Sequence, residues 1–423
     1  MSMSAPTLPV KLAVHGGPKV RQDPWPARGL LGTEEKAAVD RLFDQAIASG
    51  NAFGYNGPEE EAYCREFAAY MGGGYVDAVN SGTTALYVAL KALDLPAFSE
   101  VIVGAVTDPG GMMPIPLLNC IPMVADSMPG AYNTGPEQVE ALITPLTSAI
   151  VVAHIAGEPA DMDGILAVAR RHGIPVIEDC AQAHGATLDG RLVGTLGQVS
   201  AFSTMFGKHH CSGGQGGLVF TRDESLGAAI RRASDRGKPF GLPAGATNCV
   251  ASLNFNLNDL SAAVGRVQLT KLPEIVRRRQ AVAAGMISGL RDLATVAVAP
   301  AIPGACPSYW FMRIEYRAEN ATCDKATFCQ ALAADGLSVG LSYRAALPHL
   351  QEWFTGRRVF GHSGYPWTSP DYKGDPNRSF PCPNALAVME RQFNFYVHEN
   401  WSERDVADAV EILRRVDAYY RRG

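Results

Sequence analysis

Val176-Ile177-Glu178-Asp179-Cys180-Ala181-Gln182-Ala183-His184-Gly185 decides how this chain folds: an apolar run ends in two acids and a polar turn of small residues. The pattern is a buried strand closing on a carboxylate. Twenty-nine residues after Asp179, Phe202-Ser203-Thr204-Met205-Phe206-Gly207-Lys208 places a lysine in apolar surroundings, and Gly213-Gly214-Gln215-Gly216-Gly217 closes the unit. An acid to hold a pyridinium nitrogen and a later lysine to form an imine are what pyridoxal 5'-phosphate (PLP) chemistry requires. A carboxylate at a buried strand end is costly without a partner, and a pyridinium N–H supplies one. Capping of the next turn is the other reading of Asp179. Partial burial and a nearby cation would depress the Lys208 pKa and free its amine; a solvated lysine is the ordinary alternative.

Upstream, Asn80-Ser81-Gly82-Thr83-Thr84-Ala85-Leu86 sets small hydroxyl residues at the start of an apolar helix. Free N–H groups there, with hydroxyl donors, suit a phosphate dianion, although Ser and Thr cap helices of every kind. There is no Walker lysine and no G-x-G-x-x-G. Across the middle of the chain, β-rich runs at 101–103, 121–125, 149–153, 175–178, 200–203 and 217–221 alternate with helical ones at 83–93, 136–143 and 161–172. This alternation predicts an α/β fold with a mainly parallel sheet covered on both faces.

Helices at 33–49 and 58–71 precede the sheet, the second opened by Pro58 and three glutamates, which suit a helix start. A long helical stretch at 258–291 leaves the large unit, and the remainder mixes a strand at 309–316 with helices at 325–335 and 403–421. The expected organisation is an arm at 1–28, a large domain at 29–275 and a smaller α+β domain at 276–423. A loop rich in Pro, Gly, Tyr and Ser at 356–383 is too long for an ordinary connection. It covers a substrate, contacts a second subunit, or moves freely on the surface.

A chain of 423 residues with 47% hydrophobic content holds a large core and more than one domain. A net charge of -5 gives no reason to expect nucleic acid or an acidic membrane as partner. Nine cysteines, an odd number with no CxxC pair and no apolar leader, read as reduced thiols in a cytosol. No apolar run reaches membrane-spanning length. His209-His210-Cys211 hints at a metal, but adjacent residues rarely chelate one ion together, so no metal site is expected.

These blocks, with His154-Ile155-Ala156-Gly157-Glu158-Pro159-Ala160-Asp161-Met162-Asp163, resemble the DegT/DnrJ/StrS group of PLP-dependent sugar and cyclitol aminotransferases. The likeness is sharpest over residues 12–300. It implies the fold-type I architecture, with a seven-stranded sheet in the large domain. It also implies that Lys208 holds the cofactor through an imine and then shuttles the substrate proton. Asp179 would bind the pyridinium nitrogen, Gln182 the ring hydroxyl, and Ala181 would pack on one ring face. Gly82, Thr83, Thr84 and Ser203 would hold the phosphate. In the family a neighbouring subunit completes that site with an Asn; Asn254, in Ser252-Leu253-Asn254-Phe255-Asn256, takes the role here, so a homodimer is implied.

Two departures stand out. Asn256 replaces the usual Arg of that segment. Asp108, in Val106-Thr107-Asp108-Pro109-Gly110-Gly111-Met112-Met113, replaces the aromatic that stacks on the ring, so either the loop is rearranged or a methionine packs there. Some members carry His in place of the lysine and dehydrate sugars; the retained Lys208 favours amino transfer. The expected reaction is ping-pong, from glutamate or glutamine to a keto sugar, nucleotide-linked or not, or a keto cyclitol. A PLP-dependent dehydratase or epimerase and a PLP-binding regulatory protein without turnover are the rival readings. Arg344 and Arg236 are candidates for a carboxylate or phosphate, with surface salt bridges favoured for each. His398-Glu399 reads as structural, and Tyr55 as either a border of the acceptor site or a packing residue.

Overall fold

A computed structural model describes residues 11–422; the first ten residues of the expected arm, and Gly423, lie outside them. Seven strands form the central sheet: β1 (Tyr75–Val79), β2 (Glu100–Gly104), β3 (Ile121–Ala125), β4 (Thr147–Ala153), β5 (Val176–Asp179), β6 (Val199–Ser203) and β7 (Gly217–Thr221). Their order is β1-β7-β6-β5-β4-β2-β3. Pairing is parallel from β6 across to β3, and β7 runs antiparallel to both β6 and β1. Strands β2, β3 and β6 are buried along their length, as continuous apolar runs in a doubly covered sheet must be. β1 is absent from the expected set because Asp77 interrupts its short apolar run. The fold accommodates that acid by burying it against the Ser234 hydroxyl and near Arg231.

Helices α1 (Thr33–Ser49), α2 (Pro58–Tyr70), α3 (Gly82–Ala92), α4 (Met162–His172), α5 (Glu224–Ser234) and α6 (Asp259–Leu290) surround the sheet. The cap of α4 is Asp161, whose carboxylate accepts the Gly164 N–H at 3.0 Å, and three basic residues fill its last turn. α6 continues into a second core around the antiparallel strands β8 (Val296–Val298), β9 (Met312–Tyr316) and β10 (Gln392–Phe395), in that order. α7 (Lys325–Ala334) and α9 (Glu403–Tyr420) pack there too, while α8 (Pro383–Arg391) lies against the large sheet's core. The strand expected at 309–316 begins only at Met312, because Tyr309 takes a left-handed backbone (φ 51°).

The long loop returns to the large sheet. Trp367 and Tyr372 are buried among Ile102, Ile121 and Met123, and the Tyr372 hydroxyl donates to Glu100 Oε1 at 2.7 Å. Glu100 opens β2, so this contact lies at the end of the sheet opposite Asp179 and Ser203. The stretch is therefore anchored to the sheet at Trp367 and Tyr372, while most of its remaining residues stay exposed or half-buried. Among the described residues, no helix is long and apolar enough to cross a membrane.

Candidate active site

β5 and β6 end side by side on Asp179 and Ser203, and α3 begins directly over them. Ser81 caps α3, accepting the Thr84 N–H at 3.1 Å, while the Ser81 N–H donates to Thr84 Oγ1 at 3.0 Å. Gly82 allows the close approach, since a Cβ there would stand 2.5 Å from Ser203 Cβ. The resulting cleft brings together Gly82, Thr83, Asp179, Ala181, Gln182, Ser203 and Lys208. Two expected residues lie outside it. Thr84 is spent on the cap and on Asn80 Oδ1 (2.8 Å), and Asn254 is exposed, its Oδ1 accepting from Asn256 Nδ2 at 2.6 Å.

Lys208 is buried, with Nζ 4.0 Å from the centroid of the Trp310 ring. Burial lowers its pKa to about 8, against the pull of the Asp179 and Asp108 carboxylates. The nearby cation expected to do this is not the cause. His184, His209 and His210 crowd behind the lysine, but burial holds them in the neutral form, His210 down to about 3. His184 Nδ1 and His210 Nδ1 lie 3.0 Å apart, while His210 Nε2 pairs with the Tyr63 hydroxyl at 2.7 Å and His209 Nε2 donates to Ser308 O at 3.1 Å. Cys211 turns to Gln268.

Burial also pushes the Asp179 carboxyl upward, opposed by the Ala181 N–H (3.0 Å) and by Lys208. Asp179 thus caps the next turn with Oδ1 and also lines the cleft. Gln182 is fixed at both ends, accepting the Ala156 N–H at 2.8 Å and donating to the Tyr343 hydroxyl at 3.0 Å. Glu178, fully buried, takes the N–H groups of Gly194, Leu196 and Gly197 and lies 3.2 Å from His154 Nε2. These bonds account for the proximity of His154, Glu178 and Cys180 without an ion.

The departure at Asp108 resolves into a new local structure. Asp108 caps a single turn, Pro109–Met112, accepting the Gly110 N–H at 2.9 Å. Met112 is buried in the core and Met113 does not line the cleft, whereas Asp108 itself does, so neither methionine takes the place of the aromatic. Gly110 and Gly111 pass so close to Thr83 and Thr107 that a Cβ would come within 2.3 Å and 2.2 Å of their hydroxyls. Arg236 pairs with Asp235 and the Tyr55 hydroxyl, and Arg344 is exposed near Glu390; neither lines the cleft. His398 donates to Pro26 O at 3.0 Å, a structural bond. Trp310 is the contact that sequence reasoning missed, because only the fold brings it 102 positions back to Lys208.

The cleft fits PLP on its own donor set. The first N–H groups of α3 with the Thr83 and Ser203 hydroxyls suit a phosphate, and the buried Asp179 carboxylate suits a protonated ring nitrogen. A lysine brought near neutrality by burial completes the equipment of a fold-type I PLP enzyme.

Comparison narrows the class. Residues 33–414 match the model of the DegT/DnrJ/EryC1/StrS aminotransferase family, and the chain belongs to it. The L-glutamine:2-deoxy-scyllo-inosose aminotransferase of Streptomyces fradiae is 39% identical over 303 residues, 67% of this chain and 70% of that one. The spore coat polysaccharide biosynthesis protein SpsC of Bacillus subtilis is 28% identical over 92% of this chain and 95% of its own. Among solved structures, an aminotransferase from Psychrobacter cryohalolentis superposes with a TM-score of 0.81 at 27% identity, covering 94% of this chain and 99% of that one.

Proposed function

We propose that this protein is a PLP-dependent aminotransferase that moves an amino group from glutamine or glutamate to a keto cyclitol or keto sugar. The observation that carries the reading is the buried Lys208 amine facing the Asp179 carboxylate in one cleft beneath the α3 N-terminus. Bound PLP supplies the electron sink for charge developing on the substrate carbon. Asp179 keeps the ring nitrogen protonated, Gly82, Thr83 and Ser203 hold the phosphate, Gln182 meets the ring hydroxyl and Ala181 borders one ring face. Lys208 Nζ takes the α-proton of the donor and delivers a proton to the former carbonyl carbon of the acceptor. The donor's CH–NH₂ becomes C=O and the acceptor's C=O becomes CH–NH₂, so nitrogen and electrons balance.

The retained Lys208 and the relative named as a glutamine-dependent aminotransferase favour this reading over a dehydratase, an epimerase or a silent PLP binder. That relative's name also favours glutamine as donor and a keto cyclitol as acceptor. We further propose a homodimer in which Asn254 reaches the partner's phosphate site. Exposed Leu253 (63%) and Phe206 (68%), flanking the site segments, support a covered face there. Thr84, whose N–H and hydroxyl close the Ser81 cap, serves the phosphate site by holding the first turn of α3 in place. The proposed division of the chain is an arm at 1–28, a large unit at 29–275 and a small unit at 276–423, from which residues such as Leu347, Trp367, Tyr372 and Met389 pack back onto the large sheet. Nine free cysteines support a reducing cytosol as its setting.

The test is the visible spectrum of the protein with PLP, before and after L-glutamine or L-glutamate. A band that bleaches with donor and returns with a keto cyclitol or keto sugar is expected. A band that ignores every donor would overturn amino transfer.

A further inference from the structure

Between β6 and β7 the chain carries Lys208 on an irregular loop, and the groups that fix this loop come from far away in sequence. Arg28 Nη1 and Nη2 donate to the carbonyls of Gly207 and His209, each at 3.1 Å, the residues immediately before and after Lys208. Arg28 Nε donates to Glu399 Oε1 at 2.8 Å, and the other oxygen of Glu399 accepts from Arg279 Nε, also at 2.8 Å. Arg279 Nη1 in turn donates to Tyr309 O at 2.9 Å and Val397 O at 3.2 Å. Trp310, next to Tyr309, lays its ring under the lysine amine and donates from Nε1 to Gly207 O at 3.3 Å.

Both supports of the amine, the backbone beside it and the ring beneath it, therefore end on one carboxylate. Arg279 and Glu399 are 2% and 5% exposed, and Arg28 joins this buried pair from the partly exposed arm. Taking a charge pair out of water is costly, and such a pair stabilises little compared with apolar packing; what it adds is a single geometry. Each contact to a carbonyl is charge-assisted, and guanidinium is the group that can bridge two carbonyls and a carboxylate at once.

We infer that Arg28, Glu399 and Arg279 form a clamp whose role is to position the Lys208 amine for repeated release and recapture of the cofactor. The inference rests on the lysine role given under the proposed function. With PLP bound, the amine would have to be released, move a proton and be recaptured at the same place in each cycle. A loop without ladder or helix would let it wander, and misplacement by an ångström is expensive in rate. Arg28, Arg279 and Glu399 touch neither substrate nor cofactor, so all three are positioning residues.

Arg28→Ala and Arg28→Lys test this, with Arg21→Ala as the control. Arg21 ties the same arm to Asp405 (2.8 Å) and Asp408 (2.9 Å), away from the lysine loop. The first readout is competitive acylation of Lys208 in protein without cofactor, followed by mass spectrometry across pH. Arg28→Ala is expected to raise the midpoint by about half a pH unit or more, because a loosened amine regains water. With PLP, kcat is expected to fall about tenfold or more at nearly unchanged donor KM. Methylguanidinium is expected to restore part of the loss. Arg28→Lys keeps the charge and the fold but cannot bridge two carbonyls, so it shifts both readouts in the same direction.

Arg21→Ala is expected to leave the Lys208 midpoint at the wild-type value. If Arg28→Ala lowers thermal stability as Arg21→Ala does while the Lys208 midpoint and kcat stay unchanged, the clamp is an arm tether only and the inference is overturned. The acylation needs no cofactor, so a wild type that forms no band with PLP would overturn the PLP reading and leave the clamp separately measurable.

Discussion

At Lys208, burial and charge act in opposite directions, and the balance sets where the amine becomes a base. Burial lowers the pKa to about 8, while Asp179 and Asp108 hold it from falling further. Asp179 is the residue proposed for the ring nitrogen, whereas Asp108 has no such proposed role and can be changed separately. Asp108→Asn removes one stabiliser of the ammonium, so the Lys208 midpoint is expected to fall below the wild-type value. The acid limb of the pH–rate profile then moves to lower pH; a profile that stays put or moves up contradicts the assignment. Lys208→Ala is expected to lose at least about a thousandfold in turnover, since imine exchange and proton transfer reside in one amine, while noncovalent PLP binding persists. Activity and equilibrium dialysis check the two halves. That Asp179 and Lys208 share one cleft was legible in the sequence, from an acid at a strand end and a lysine soon after. Their surroundings were not. The cation expected near Lys208 is a set of neutral imidazoles, because nothing in His-His-Cys reveals that all three side chains face inward.

Among the elements, the start of α3 shows how packing sets affinity. The helix can rest on β6 only because residue 82 lacks a side chain, a Cβ there falling 2.5 Å from Ser203 Cβ. Gly82→Ala forces the first turn of α3 off Ser203, an overpacking expected to cost about 1–3 kcal/mol and to weaken PLP binding by roughly tenfold or more. A PLP titration by fluorescence, with far-UV circular dichroism unchanged, checks this; wild-type affinity would show that the phosphate is held elsewhere. Long periodic elements such as α6 and α9 were read from sequence within a residue or two. β1 was lost because a buried Asp77 mimics a turn. The strands β8 and β10 were overlooked because they are short and draw their stability from partners distant in sequence, whereas α5, as long as α4, carries its own signal in the Asp223 cap.

On the scale of the molecule, the junction of α2, β1 and α6 buries an acid that resists ionisation. Burial raises the Glu60 carboxyl from its ordinary 4.5 to about 8; Asp77 and Asp259 add to the rise, while the Asn56 N–H and Arg231 oppose it. The folded protein keeps this proton where the unfolded chain has released it, so its contribution to stability falls as pH rises from about 4.5 to about 8. Glu60→Gln is expected to raise the melting temperature at pH 8 by roughly 2 °C or more and to give no gain near pH 5. An equal effect at both pH values would mean the carboxyl is ionised in the fold. The overall architecture was readable from strand–helix alternation, whereas the path of the last 130 or so residues was not, since pattern alone does not say which core a loop joins.

That path has a further consequence. Leu347, Trp367, Tyr372, Cys382 and Met389 fill the large sheet's cores, although β9 before them and β10 after them belong to the second sheet. The chain is laced through both bodies like a stitch, so no single cut divides it into two self-sufficient pieces. A ribosome that has released only the first 275 residues has made a sheet with part of its filling still to come. The large body therefore matures late in synthesis, when the C-terminal third arrives to seal it.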